Sequence, residues 1–197
     1  SFVYELDRPT VTITYPVTNS YISAGGKPAG VGLDTWPGKV SKVYVRIKNE
    51  SATSIYWDSA SSSWTSVGAP EVWNDVSLHG TLSPNGTWWQ LAPATWESNK
   101  IYSFNAKGRD KAGNWVVEYS TVTNVAADFT APSSSVTYPV NGANLTTDLQ
   151  ILSGSASDVY PGSVDKVKLS YQCLDDICAG KYWDPDLRTW TAALEKF

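Results

Sequence analysis

Asp34-Thr35-Trp36-Pro37-Gly38-Lys39-Val40-Ser41-Lys42-Val43 returns without a gap as Asp158-Val159-Tyr160-Pro161-Gly162-Ser163-Val164-Asp165-Lys166-Val167, an offset of 124 residues from Asp34 to Asp158. Working outward, Val11-Thr12-Ile13-Thr14-Tyr15-Pro16-Val17 is echoed by Ser135-Val136-Thr137-Tyr138-Pro139-Val140. On the other side, Tyr56-Trp57-Asp58 and Trp64-Thr65 recur as Tyr182-Trp183-Asp184 and Trp190-Thr191. The register drifts only at loops. Such a period is too long for a solenoid unit of roughly 20–50 residues and fits a whole domain repeated in tandem. The expected organisation is therefore three pieces. Residues 1–7 read as the last strand of a preceding repeat or a linker, residues 8–128 as one complete domain, and residues 129–197 as the first half of a second. Met is absent throughout, position 1 included, which fits a chain cut from a longer precursor.

Composition narrows the class. The 197 residues are 42% hydrophobic but only 17% charged, with ten Trp and eleven Tyr among abundant Ser, Thr, Val, Gly and Pro. These residues favour pleated sheets and turns, and no stretch keeps apolar residues at helical spacing for three turns. Alternation marks Val11-Ile13-Tyr15, Val43-Val45-Ile47 and Tyr102-Phe104-Ala106 as strands with one buried face. Between them Pro37-Gly38, Pro84-Asn85-Gly86 and Ala112-Gly113-Asn114 supply the fixed or positive φ that chain reversal needs. The result is an all-β expectation of about seven short strands per sandwich.

Asp128-Phe129-Thr130-Ala131-Pro132, Gly154-Ser155-Ala156-Ser157-Asp158 leading into Val164-Asp165-Lys166-Val167, and Asp110-Lys111-Ala112-Gly113-Asn114 carry a resemblance over the whole chain. It resembles the bacterial immunoglobulin-like (Big-type) tandem repeats of secreted and cell-surface proteins. That resemblance implies tandem immunoglobulin-like β-sandwich domains, the second one truncated. It also implies service as spacers, adhesin stalks or accessory domains beside enzymes and sugar-binding modules. Two places depart from it: Arg8-Pro9 stands where the second copy has Thr130-Ala131-Pro132, and Ala29-Gly30-Val31-Gly32-Leu33 stands where it has a small polar run.

Charge excludes two partner classes. A net charge of −4 with 15 scattered Lys and Arg leaves no clustered basic surface for nucleic acid or anionic membranes. No apolar run approaches the roughly 20 residues of a membrane span. Catalysis finds no support either. The single histidine, His79, lies in a polar loop with no nucleophile signature beside it, and the adjacent carboxylates Asp175-Asp176 read as solvated.

Four binding features remain. Cys173 and Cys178 flank four residues in a hairpin loop, too few ligands for structural zinc, and read as a disulfide formed in an oxidising compartment. The repeated aromatics Tyr56, Trp57 and Trp64, with Tyr182, Trp183 and Trp190, admit two readings: packing across the sandwich, or stacking on sugar rings, with Trp73, Trp88, Trp89 and Trp96 enlarging the pool. Asp7, Asp34, Asp110, Asp128 and Asp158 admit calcium binding near a domain junction or Asx turns. Asn49, Asn85 and Asn144 open Asn-x-Ser/Thr triplets. No other cofactor or metal is expected.

The functional expectation is a non-catalytic structural or adhesive segment of a larger extracellular surface or filament-forming protein, secreted or on the cell surface. The alternative is a carbohydrate-binding module or accessory domain of a secreted polysaccharide-acting enzyme. Expected partners are neighbouring repeats of the same protein, other copies head to tail, and glycans.

Overall fold

The computed structural model describes residues 4–53, 55–83, 86–92, 94–145, 151–174 and 178–191. The chain divides into two compact units, Ser1–Ala131 with Val159–Gly162, and Pro132–Asp158 with Ser163–Phe197. In the first unit the strands are β1 (Thr10–Tyr15), β2 (Tyr21–Ile22), β3 (Ala29–Leu33), β4 (Val40–Asn49), β5 (Ile55–Asp58), β6 (Ser63–Trp64) and β7 (Asn74–Asp75). A one-turn helix α1 (Val76–His79) follows, then β8 (Gly80–Leu82), β9 (Trp88–Leu91), β10 (Lys100–Asp110) and β11 (Ser120–Ala127). The second unit carries β12 (Ser133–Tyr138), β13 (Ser153–Ser157), β14 (Tyr182–Asp184) and β15 (Thr189–Thr191).

The first unit is an immunoglobulin-like β-sandwich, as its strand order requires. One sheet runs β1-β3-β9-β8 and the other β2-β11-β10-β4-β5-β6, with β7 also on β4. In immunoglobulin letters these are A-B-E-D and G-F-C, with the strands after C extending the second sheet. The chain changes sheet between β1 and β2. There Pro16 lacks the N–H that would extend the ladder, Asn19 takes φ 60°, and β2 then pairs parallel to β11.

Strict alternation builds the core. Val43, Val45 and Ile47 of β4 face Tyr102, Phe104 and Ala106 of β10, all without solvent exposure. Burying each of these larger apolar side chains contributes about 1.5–3 kcal/mol relative to solvent. Trp89 of β9 closes the core from the opposite sheet, 1% exposed, and its ring lies against Gly30 of β3. A Cβ on Gly30 would overlap both that ring and the Thr12 carbonyl, so only glycine permits this approach.

The surplus length after β4 folds into a second layer of aromatic packing. Trp57 and Trp64, paired across the β5–β6 hairpin, meet edge to face at 5.4 Å, and Trp64 stacks on Tyr102 at 5.3 Å. The short α1 was not legible as a helix. Its start is fixed by Asp75, whose Oδ1 accepts from Ser77 N while Oδ2 takes the Lys42 ammonium at 2.8 Å. Such a cap satisfies a backbone donor that a single helical turn leaves open.

In the second unit the β1–β3 and β5–β6 pairs recur as β12–β13 and β14–β15, whereas residues 164–173, the counterpart of β4, form no named strand. Strand β12 pairs with β13 from Ser133↔Ser157 to Tyr138↔Ser153, with a register shift between Val136 and Tyr138. The β1–β3 pair runs from Thr10↔Leu33 to Tyr15↔Ala29, with its shift between Ile13 and Tyr15. Gly154 meets the Ser135 carbonyl as Gly30 meets that of Thr12. Trp183 and Trp190 repeat the edge-to-face pair at 5.6 Å. One contrast is marked. Val167, Leu169 and Tyr171 are 53%, 46% and 39% exposed, where Val43, Val45 and Ile47 are at 0%.

Replacing Gly30 by Ala is expected to lower the unfolding free energy by about 3 kcal/mol in a urea titration. Gly25→Ala, in open space, should stay within about 0.5 kcal/mol of wild type. Acid sensitivity has a local source at Asp75. Burial disfavours its charged form, but the bonds from Lys42 and Ser77 outweigh burial and hold its carboxyl below the ordinary value. A depressed folded value gives stability that is present at neutral pH and lost as pH falls through that value. Asp75→Asn should therefore flatten the acid limb of a stability-versus-pH curve.

Candidate metal centre

Three carboxylates converge at the end of the sandwich where the chain enters it. Strand β10 ends with Asp110 pointing inward, 1% exposed, on the same face as Phe104 and Ala106. The following Lys111-Ala112-Gly113-Asn114 loop folds back onto that side chain. Asp110 Oδ1 accepts from Gly113 N at 2.6 Å and Asn114 N at 2.8 Å, and Oδ2 accepts from Asn114 Nδ2 at 2.8 Å. Gly113, at φ 103°, supplies the left-handed step this closure needs. Asn114 Nδ2 also donates to the Asp7 carbonyl at 3.1 Å. The amide thereby ties the incoming segment to the loop.

That tie brings Glu5 against Asp110, and Asp34 arrives from the end of β3. Ligand oxygens of Glu5, Asp34 and Asp110 lie within 4.8 Å of one another. The extended segment 4–9 forms no strand among the described residues.

The electrostatics of the cluster are unbalanced. Both Glu5 carboxylate oxygens and Asp34 Oδ2 have almost no solvent contact and no hydrogen-bond partner. Desolvation pushes the Glu5 carboxyl up, and Asp110, Asp34 and Asp7 push it further. Asp34 is also raised, by desolvation first and then by Asp110 and Asp7 against the Thr35 N–H. Asp110 goes the other way: burial opposes its charge, but Asn114, Gly113 and Glu5 outweigh it and lower its value. Without a cation, burial and the neighbouring carboxylates together disfavour the ionised form of Glu5. With one, all three ionise.

The donor set is all oxygen, with no imidazole or thiolate. It suits a hard divalent cation, and calcium in particular, which accepts carboxylates, carbonyls and water in a flexible shell of six to eight oxygens. Asp34 and Asp110, named from sequence, therefore meet, while Glu5 was not named. The signal existed: Glu5 stands in the first copy where Asp128 stands in the second, counted from Pro9 and Pro132. Asp128 Oδ1 accepts from Thr130 N at 3.0 Å in an Asx turn, Asp7 contributes its carbonyl, and Asp158 follows β13.

The other candidates sort by burial. Cys173 and Cys178 form a disulfide with Cα atoms 5.6 Å apart, in a hairpin closed by Cys173 N to Lys181 O and Gly180 N to Cys173 O. In the first unit Tyr56 and Trp57 are 7% and 3% exposed, and Trp64 donates its indole N–H to Thr95 O at 2.9 Å. Tyr56 and Trp57 lie in the core, and Trp64, partly buried, packs against it. In the second unit Tyr182 and Trp183 are half-buried and Trp190 is exposed. Trp89 and Trp96 are buried. Asn49 is buried and its side chain accepts from Ser51 N, so it offers no glycan acceptor, whereas Asn144 is exposed. Asn85, Asp175 and Asp176 lie outside the described residues. His79 ends α1.

No protein-family model matches the chain, and no curated protein matches it. Among solved structures, the fibronectin(III)-like modules of Clostridium thermocellum CbhA are similar at 18% identity and a TM-score of 0.31, covering 66% of this chain and 52% of that one. The chain thus spans about half the length of that structure. Murine CRIg is similar at 15% identity and a TM-score of 0.29, covering 60% of this chain and 97% of that one.

Glu5→Gln removes one carboxylate from the cluster and so should have opposite effects in two media. In EDTA the variant should melt above wild type, because one repelling charge is gone. In millimolar calcium wild type should gain stability while the variant does not. Differential scanning calorimetry reads both. Identical wild-type melting with calcium and with EDTA would remove the metal reading.

Proposed function

We propose that the chain is a segment of tandem Big-type immunoglobulin-like repeats that work outside the cytoplasm as a non-catalytic structural or adhesive array. The observation that carries this reading is the recurrence in the second unit of the β1–β3 pairing, with the same register shift and the same obligatory glycine. A sequence that duplicates packing details as well as composition belongs to a modular series, in which each domain is a rigid link. The Cys173–Cys178 disulfide favours an oxidising compartment. No helix among the described residues is long and apolar enough to cross a membrane.

Calcium has a mechanical role in this reading. By neutralising Glu5, Asp34 and Asp110 it pins the incoming segment, the end of β3 and the β10–β11 loop to one point. A hinge becomes a fixed joint, as a load-bearing stalk requires. Without the ion, repulsion among the same groups loosens the segment.

Two measurements test the reading. Tyr4 and Leu6 are 71% and 66% exposed, so calcium should slow chymotryptic cleavage after them relative to EDTA. In cells that make the protein, protease added outside should remove it from intact cells, and Cys173 and Cys178 should resist thiol labelling in the isolated chain. Recovery from the cytoplasm with both thiols reactive would overturn the assignment.

A further inference from the structure

The outer face of the β4–β10 pair differs from the rest of this acidic chain. Lys107 lies opposite Tyr44 in the ladder, and Arg109 lies opposite Lys42. Arg46, beside Asn105, completes a row of cations on a protein whose net charge is −4. Two of the four are matched: Lys42 by Asp75 and Arg46 by Glu71. Among the described residues Lys107 and Arg109 form no ion pair, and Arg109 Nε is buried with no hydrogen-bond partner.

Aromatic rings frame these two free cations. The Lys107 ammonium sits 3.9 Å from the centroid of Trp73, with Tyr119 at 5.6 Å and Trp115 at 5.7 Å. The Arg109 guanidinium lies 5.8 Å from Trp115. Trp73 meets Tyr119 edge to face at 5.1 Å, and Tyr44 meets Trp115 at 5.7 Å, so the rings brace one another. Trp115 and Tyr119 still expose 41% and 51% of their surface. Packing alone does not call for leaving them so open.

The partner is constrained by what the face lacks. Strand β10 is paired on both sides, by β4 and β11, and β4 by β10 on one side and by β5 and β7 on the other. Their backbone groups are spent, so no peptide can add as a strand. Two unmatched cations on an acidic chain are too few for a polyphosphate backbone. A rigid ring with a C–H face and an attached anion uses both features, the C–H face on the indole or phenol and the anion on the ammonium or guanidinium.

We propose that this face binds acidic polysaccharides, with Trp115 and Tyr119 stacking on sugar rings and Lys107 and Arg109 pairing with their carboxylates or sulfates. The site is distinct from the Tyr56, Trp57 and Trp64 cluster and does not depend on the metal. It gives a structural array a means of holding the glycan matrix around it.

Affinity electrophoresis of the 197-residue chain in EDTA, through gels containing hyaluronan, chondroitin sulfate, polyglutamate or dextran, tests the proposal. Hyaluronan carries carboxylates alone and chondroitin sulfate carries both anions, so the stronger retardation identifies the preferred group. Trp115→Ala and Lys107→Gln should each weaken retardation about tenfold. Tyr119→Ala should do the same, and its more exposed ring makes it the variant least prone to unfold; melting curves verify the fold of each. Trp88→Ala, an exposed indole on β9 of the other sheet, should leave it unchanged. No retardation by either acidic glycan overturns the proposal. So does equal retardation by polyglutamate, or wild-type affinity in folded Trp115→Ala and Tyr119→Ala proteins.

Discussion

Everything distinctive in the first unit depends on the antiparallel pairing of β4 with β10, which runs from Tyr102↔Asn49 to Asp110↔Val40. One face of this pair is the core, where Val43, Val45 and Ile47 meet Tyr102, Phe104 and Ala106. The opposite face carries the cations and rings of the proposed glycan platform. The end of the pair delivers Asp110 to the acidic cluster. The side-chain period of two makes these uses inseparable: a slip of one residue would place Lys107 in the core and Phe104 in solvent. The register is therefore fixed by burial, and the functional surfaces inherit their positions from it.

The acidic cluster shows how a turn motif becomes a candidate site. Asp110 spends its oxygens on the loop that follows, and Asn114 closes that loop while reaching back to the Asp7 carbonyl. The same two residues that shape the turn thus fix the segment bearing Glu5. Buried carboxylates with no donors are costly to leave charged, and a shared cation or a shared proton removes that cost. A cation there would bridge segments that no ladder connects.

The aromatic content divides along the same lines. Trp57, Trp64, Trp89 and Trp96 fill the sandwich, with indole donors of Trp64 and Trp96 reaching backbone carbonyls of Thr95 and Gly26. Trp73 and Trp115 lie outside, held in place by cations instead of by burial. Ten tryptophans in one short chain are explained by neither use alone. Of the packing set only Trp57 and Trp64 recur in the second copy, as Trp183 and Trp190.

The sequence by itself determined the strands, the turns and the tandem period, because alternation, Pro and Gly act locally and recur wherever the same local structure recurs. Val43-Val45-Ile47 and Tyr102-Phe104-Ala106 read directly as inward faces, and Cys173 and Cys178 read as a bonded pair from their place in a hairpin loop with too few ligands for zinc. Asp34 and Asp110 were visible only as acidic residues near turns. Only the tertiary structure decided that they meet Glu5, since the three come from distant points on the chain and are joined by a loop closure that no periodicity encodes. It likewise decided which aromatics face water, because burial depends on what packs opposite a ring, and that partner lies on another strand.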